Sequence, residues 1–284
     1  MIQEKKFNTL SYWEQRLQEH PDITGVGFLG RSPQFVEQQY RSRMQQLRRS
    51  LKAYRLADLT GRSVLDVGSG TGIWLEFWHQ CKAERIVGLD FAQASVDRLT
   101  AQFPNDLIIR ADLSERSLPL SDTLQFDVIS AFDVLLHIVD PDGFQRAIAN
   151  LARHCAPGGW LITSDPIIQG KGYVPQYNYA EHNIVRSLDE FRDVLKTHGF
   201  VIDSVQPATV LQSNPLEASN RLNFLALSAW WKATGLWGRS GTLSRLLGPI
   251  VMASDQVACD HCRNRTAPGA KIIFAHKEER TTIE

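Results

Sequence analysis

The sequence is poor in everything that would tie it to an oxidising compartment, a polyanion or a bilayer. Its 284 residues hold four cysteines, Cys81, Cys155, Cys259 and Cys262, too few and too unevenly placed for a disulfide framework. Neither sign of charge dominates: 31 Lys and Arg stand against 31 Asp and Glu. The basic excess of a dedicated nucleic-acid binder is therefore missing. The opening Met-Ile-Gln-Glu-Lys-Lys-Phe lacks the apolar stretch of a signal peptide. The greasiest run, Phe224 to Trp231, falls well short of the ~20 residues a membrane span needs. Repeats and low-complexity tracts are absent too. With 43% hydrophobic residues the chain can bury a sizeable core. A soluble cytoplasmic protein with no membrane partner is the expectation.

The residues that are present divide at about position 60. The first 60 residues read as helical with one break, a helical cap on the rest of the chain. Ser32-Pro33 has the form of an N-cap followed by Pro at the first helical position. After it Phe35, Tyr40, Met44, Leu47, Leu51 and Tyr54 recur at helical spacing. From Ser63 short apolar runs (63–67, 85–89, 107–111, 126–132, 160–164, 200–205) alternate with segments of helical length such as Ile73–Gln80, Ala94–Phe103 and Phe144–His154. Continuous runs like Ile86-Val87-Gly88-Leu89 suit strands buried on both faces. The alternation predicts βαβ units and a doubly wound α/β sheet over residues 61–284, completed by a last run at Lys271–Ala275.

Before that last run lies an insertion of residues 207–268. Leu222, Leu225, Ala226, Ala229, Trp230, Ala233, Leu236 and Trp237 form one apolar helix face there. A second, short helix is expected to carry Leu243, Leu246, Leu247, Ile250 and Val251. The plain reading of this insertion is extra core. The sharper one is a helical lid, because the connection leaves the sheet near the end where ligands bind.

The strongest chemical signal is Asp66-Val67-Gly68-Ser69-Gly70-Thr71-Gly72, between a strand and a helix. Glycines at 68, 70 and 72 let the backbone turn sharply and approach a ligand, and the helix after them presents free N–H groups. Eighteen residues beyond Gly72, Asp90 ends the second strand, where a carboxylate can accept from both ribose hydroxyls of an adenosine. Asp112 ends the third strand and Phe132-Asp133 the fourth. All lie at carboxyl ends of parallel strands, where open α/β sheets bind ligands. A dinucleotide fingerprint fails, since its sixth position counted from Gly68 is Ile73. No Gly-Lys pair followed by Ser or Thr supplies a P-loop. Asp66 could alternatively cap a helix, and Asp112 could be an N-cap.

On these residues the chain resembles the class I S-adenosylmethionine-dependent methyltransferases. The likeness rests on Asp66-x-Gly68-x-Gly70-x-Gly72, Gly88-Leu89-Asp90, Ala111-Asp112, Phe126-Asp127-Val128-Ile129 and Ala156-Pro157-Gly158-Gly159-Trp160-Leu161. It implies S-adenosylmethionine as cofactor, with the glycine turn holding its methionine part, Asp90 its ribose and Asp112 its adenine amino group. Ser69, Thr71, Phe91, Leu113 and Phe132 complete the implied cofactor site. The resemblance also implies a seven-stranded sheet whose last strand runs antiparallel between the fifth and sixth.

Methyl transfer to oxygen or nitrogen can need a base. His137 follows the fourth strand; if that segment is helical, Asp133 and His137 share a face and the carboxylate raises the imidazole pKa. A cofactor-pocket or structural role is the alternative. His182 is a second candidate, in the polar, aromatic stretch Gly172–His182, which reads as a substrate wall or an exposed loop. Gly25-Val26-Gly27-Phe28-Leu29-Gly30 matches a dinucleotide pattern literally but comes after no convincing strand, and reads as a hinge. Cys259-Asp260-His261-Cys262 lacks partners for the four ligands of a structural zinc site, and no metal is expected. Arg41, Arg43, Arg48, Arg49, Lys52 and Arg55, with no acid between them, read as a solvated helix face that could attract an anionic or carrier-bound substrate. Ser130-Ala131-Phe132-Asp133 lacks the Asp/Asn-Pro-Pro-aromatic and Pro-Cys motifs of base methylation. A small-molecule acceptor is expected and an RNA acceptor disfavoured. The competing classes are a nicotinamide-dependent oxidoreductase and a cofactor-binding protein without activity; the oligomeric state is open.

Overall fold

The computed structural model describes residues 7–176, 183–263 and 265–279. Tyr177, Tyr179 and His182 of the expected substrate wall lie outside them. The apolar runs are strands β1 (Ser63–Val67), β2 (Arg85–Asp90), β3 (Leu107–Arg110), β4 (Phe126–Phe132) and β5 (Cys155–Asp165). Two-residue strands β6 (Ile167–Ile168) and β7 (Arg186–Ser187) pair beside them, before β8 (Phe200–Pro207) and β9 (Lys271–Lys277). The main sheet has the order β3-β2-β1-β4-β5-β9-β8. Its first five strands run parallel, and β9 lies antiparallel to both β5 and β8. The last strand is thus inserted where the resemblance implied.

Helices α1 (Thr9–Glu19) and α2 (Pro33–Ala53) precede the sheet; α3 (Ile73–Gln80), α4 (Gln93–Gln102), α5 (Pro141–His154) and α6 (Leu188–Thr197) are its crossovers. Ser32 caps α2 by accepting from the Phe35 N–H with Pro33 at the first position, as its sequence predicts. One apolar layer, including Leu65, Ile129, Phe144 and Phe191, fills one face of the sheet. The other holds Leu47 and Leu51 of α2 with Trp74, Phe77 and Trp78 of α3. The N-terminal α1 is tied down at α4. Ala92 offers α4 no capping side chain, and Glu14 of α1 supplies it, accepting from Gln93 N at 2.6 Å and Ala94 N at 3.1 Å. A carboxylate there also meets the positive end of the helix dipole.

The insertion forms α7 (Arg221–Trp237) and α8 (Gly241–Cys262), and here two expectations fail. The second helix is not short: it runs 22 residues through Pro249. Nor is the apolar face of α7 extra core. Leu222 is 78% and Leu236 84% exposed, and only Thr234 of that helix is buried. Polar anchors decide the orientation, because Arg31 reaches Thr234 Oγ1 at 3.2 Å and Trp230 Nε1 donates to the Leu211 carbonyl at 2.8 Å. Periodicity identifies an apolar face but not what it meets.

Candidate active site

The sequence from Val67 to Ile73 must leave a buried strand and enter a helix within a few residues. Gly68 does so at φ +68°, and a Cβ there would collide with Val134. Gly72 caps α3 at φ +84° against Leu99 and Phe103, each 2.7 Å from where a Cβ would stand. Only glycine adopts such backbone at no steric cost. The turn is closed from inside: Gly68 N and Ser69 N donate to Leu89 O, and Ser69 Oγ donates to Asp66 O at 2.9 Å.

Above this turn the strand tips open into a cavity of about 650 Å³. Gly68, Ser69, Gly70 and Thr71 line it, as do Asp90, Phe91, Asp112, Leu113, Phe132, Asp133 and His137. Asp66 and Gly72 are not among the lining residues. Asp66 instead turns sideways within the sheet, accepting from Ser130 Oγ at 2.5 Å, so it caps no helix. Burial pushes its carboxyl up to about 6.

Asp90 accepts from Gly70 N at 2.8 Å through one oxygen and from Ala92 N at 2.9 Å through the other. The carboxylate is therefore fixed in the wall, and its burial shifts its pKa upward against those hydrogen bonds. Asp112 is exposed at the rim and accepts from both Ser114 N and Ser114 Oγ. That is a local Asx turn; Asp112 caps no helix. Thr71 Oγ1 is buried and has no partner among the described residues.

The Asp133–His137 pair does not form. Asp133 takes a left-handed φ of +58°, which breaks the chain direction after β4, and Leu135–His137 is a single 3₁₀ turn. The Asp133 carboxylate goes to Arg43 of α2 at 2.5 Å. Arg43 also donates to Ser164 Oγ at 3.0 Å and lies over the rings of Tyr40 and Trp74. Burial alone would lower the guanidinium pKa; the charge and hydrogen bond of Asp133, with Tyr40 and Asp165, together outweigh it and raise it. So the basic run on α2 is not uniformly solvated. Arg43 turns inward, while Arg41 pairs with Glu37 and Arg49 with Asp260.

The turn carrying His137 is held from β5 and β7. Asp165 accepts from Leu136 N at 3.2 Å, and Arg186 donates to the carbonyls of Leu135 and Ile138. The His137 ring meets Trp13 of α1 edge-on at 5.0 Å. Burial, then the charge of Asp133, pushes the Asp165 carboxyl up to about 8, so it stays protonated at neutral pH. The strand-tip rule that picked out Asp90, Asp112 and Asp133 applies equally to Asp165, which the sequence reading missed. Arg43 stood out in the sequence only as one member of the basic run on α2, and nothing there marked Arg186.

Cover over the cavity comes from Tyr12, Trp13 and Arg16 of α1, Gly27 and Phe28 of the glycine-rich loop, Gln39 and Tyr40 of α2, and the loop 208–216. The Cys259–Cys262 stretch lies in the last turn of α8, and among the described residues no three His, Cys, Asp or Glu gather as a metal site.

A family model described as a methyltransferase domain matches residues 38–205, more than half of the chain and nearly the whole run from α2 to β8. The chain belongs to the class I S-adenosylmethionine-dependent methyltransferases. Relatives of this methyltransferase include a ubiquinone biosynthesis O-methyltransferase of Albidiferax ferrireducens, 33% identical over 132 residues, 45% of this chain and 50% of that one. Another protein of that name, from Neisseria meningitidis serogroup C, is 32% identical over 131 residues, 44% and 53% of the two chains. The chain spans about half the length of these curated relatives. Among solved structures, a DhpI–SAH complex superimposes with a TM-score of 0.55 and 15% identity, covering 95% of this methyltransferase and 96% of that protein. At that identity the likeness concerns the fold.

Proposed function

We propose that this protein transfers the methyl group of S-adenosylmethionine to an oxygen or nitrogen atom of a small-molecule acceptor. The observation that carries the reading is Asp90, a buried carboxylate pinned in the cavity wall by two backbone amides. Each carboxylate oxygen can accept more than one hydrogen bond, so capacity remains for the two hydroxyls of a ribose. The residues present fit the cofactor. Thr71 Oγ1, buried without a partner among the described residues, lies on the glycine turn where the polar amino-acid end would sit. Asp112 at the β3 tip stands on the adenine side, with Phe91, Leu113 and Phe132 as apolar wall. Asp66 supports the glycine turn from behind.

Thr71, Asp90 and Asp112 follow or end β1, β2 and β3, and Phe132 ends β4; in this reading the acceptor takes the space beyond Phe132, toward the β5 tip and the helical cover. When bound, the cofactor supplies a methyl group already activated on a sulfonium, so alignment accounts for much of the rate. The protein's part is to hold the acceptor between aromatic walls (Tyr12, Trp13, Tyr40) and polar groups (Gln39, Arg43, Gln212) of the lining. His137, whose turn is held by Asp165 and Arg186, is the residue we assign to receive the acceptor's proton. A substrate anion would meet Arg43. The O-methyltransferase names of the relatives favour an oxygen over a nitrogen acceptor. Helices α1 and α2, the glycine-rich loop between them and the loop 208–216 act as a closing cover.

Calorimetry with S-adenosylhomocysteine tests the cofactor site. Binding is expected in the wild type, and Asp90→Ala is expected to weaken it by about 10- to 150-fold, the worth of charge-assisted hydrogen bonds. Unchanged affinity in a folded Asp90→Ala protein, or binding of NAD instead, would overturn the reading.

A further inference from the structure

The apolar face of α7 is turned to water. Leu222, Leu225, Ala229, Ala233 and Leu236 share one side of that helix, and all are exposed. Helix α8 repeats the feature, with Leu246 66%, Ile250 65% and Val257 70% exposed. Between Glu217 and Asp255 the sequence has no acidic residue, yet it carries Arg221, Lys232, Arg239 and Arg245. Exposed apolar surface of this extent marks an interaction site. Leucine and tryptophan with basic residues and no acids is the composition of a helix lying in a lipid–water interface.

We propose that α7 and α8 dock on an anionic phospholipid surface. Leu222, Leu225, Leu236, Leu246 and Ile250 enter the boundary between headgroups and acyl chains. Arg221, Lys232, Arg239 and Arg245 meet lipid phosphates. Charge selects this occupant over a second copy of the chain. A two-fold contact sets the same patch against itself, which would bring the basic residues of both copies together with no acid from this segment to pair them. Surface docking is a different demand from spanning: no helix among the described residues is long and apolar enough to cross a membrane.

The other side of α7 adjoins the cavity through one contact. Phe28 lines the cavity while remaining 46% exposed, which places it at the opening. Its ring packs on Trp231 of α7 at 5.1 Å. Trp231 is on the side of α7 away from Leu222, Ala229 and Leu236, so docking holds the cavity mouth one helix diameter (~10 Å) from the bilayer, a short path for an apolar acceptor leaving the lipid. This delivery step rests on the methyl-transfer reading; docking itself does not.

Co-sedimentation with vesicles, without any substrate, tests the docking. The full chain is expected to pellet with vesicles of equal parts phosphatidylglycerol and phosphatidylcholine, far less with phosphatidylcholine alone, and less again in high salt. The double variant Leu236→Glu/Ile250→Glu is expected to lose about tenfold or more of its partitioning. Both positions are exposed and line no part of the cavity, so S-adenosylhomocysteine affinity should stay at the wild-type value and report an intact fold. No pelleting of wild type, or equal pelleting of the variant, overturns the proposal. So does light scattering that shows a dimer dissolved by the same substitutions in a protein that ignores vesicles.

Discussion

Arg43, in the middle of α2, reaches across to Asp133 at the tip of β4 and closes an ion pair at 2.5 Å beneath the helical cover. The two residues are 90 positions apart in sequence. Their contact ties the N-terminal helices to the strand that leads into the His137 turn, and it occupies the carboxylate that would otherwise bear on that histidine.

Replacing Arg43 by Met leaves Asp133 without its partner in a partly buried site. The guanidinium is 13% and the carboxylate 36% exposed, so the loss falls between a surface and a buried pair, about 1–3 kcal/mol. Urea denaturation should show it. S-adenosylhomocysteine affinity should change little, because Arg43 is outside the proposed cofactor site; a large loss of that affinity would place the cofactor elsewhere.

His137→Gln should lower kcat by about 10²–10⁴-fold if the imidazole takes the acceptor's proton, with S-adenosylhomocysteine affinity nearly intact. Rate, affinity and melting temperature measured on one preparation separate the roles. A fall in affinity assigns His137 to the cofactor pocket, and a fall in melting temperature alone assigns it to packing against Trp13.

Asp165 gives the protein a pH dependence with a definite sign. Its carboxyl is raised from an ordinary 3.8 to about 8 in the folded chain. Above pH 3.8 the unfolded chain loses this proton while the folded one keeps it, so the folded state binds more protons and stability falls as pH rises. The fall should end near the folded value of about 8, where both states are ionised. Asp66, raised to about 6, adds to the lower part of that window. Asp165→Asn should flatten the decline of the melting temperature between mildly acidic and mildly alkaline pH. An unaltered pH profile would assign the decline to other groups.

Lys271, at the start of β9, and Glu217 form an ion pair at 2.7 Å with both side chains wholly buried. Glu217 also accepts from the backbone amides of Gln169 and Gly170, which fastens the segment after β6 to the sheet. Lys271→Met should cost about 3–5 kcal/mol, because a buried carboxylate loses its counter-charge. Chemical denaturation that gives less than about 1 kcal/mol would show that water or a relaxed backbone compensates Glu217.

The sequence by itself determined the alternation of strands and crossover helices, the glycine turn and the strand-tip carboxylates. Each is encoded locally: apolar runs of strand length, glycines where the backbone must turn left-handed, and acids at or just past the end of a strand. Asp90 and the glycine turn could be found together for that reason, since each sits at a strand end whose position the pattern fixes. The tertiary structure decided everything that depends on which side chain meets which partner across the fold. It took Asp133 from His137 and gave it to Arg43, because a left-handed residue after β4 ends the helical register that the i, i+4 spacing assumed. It set Asp165 and Arg186 under the His137 turn, distant from it in sequence but adjacent once β5 lies beside β4 and β7 pairs with β6. It also turned the apolar face of α7 outward, since the anchoring of Thr234 by Arg31 and of Trp230 by Leu211 fixes which side of the helix faces the protein. Hydrophobic periodicity carries no information about that choice.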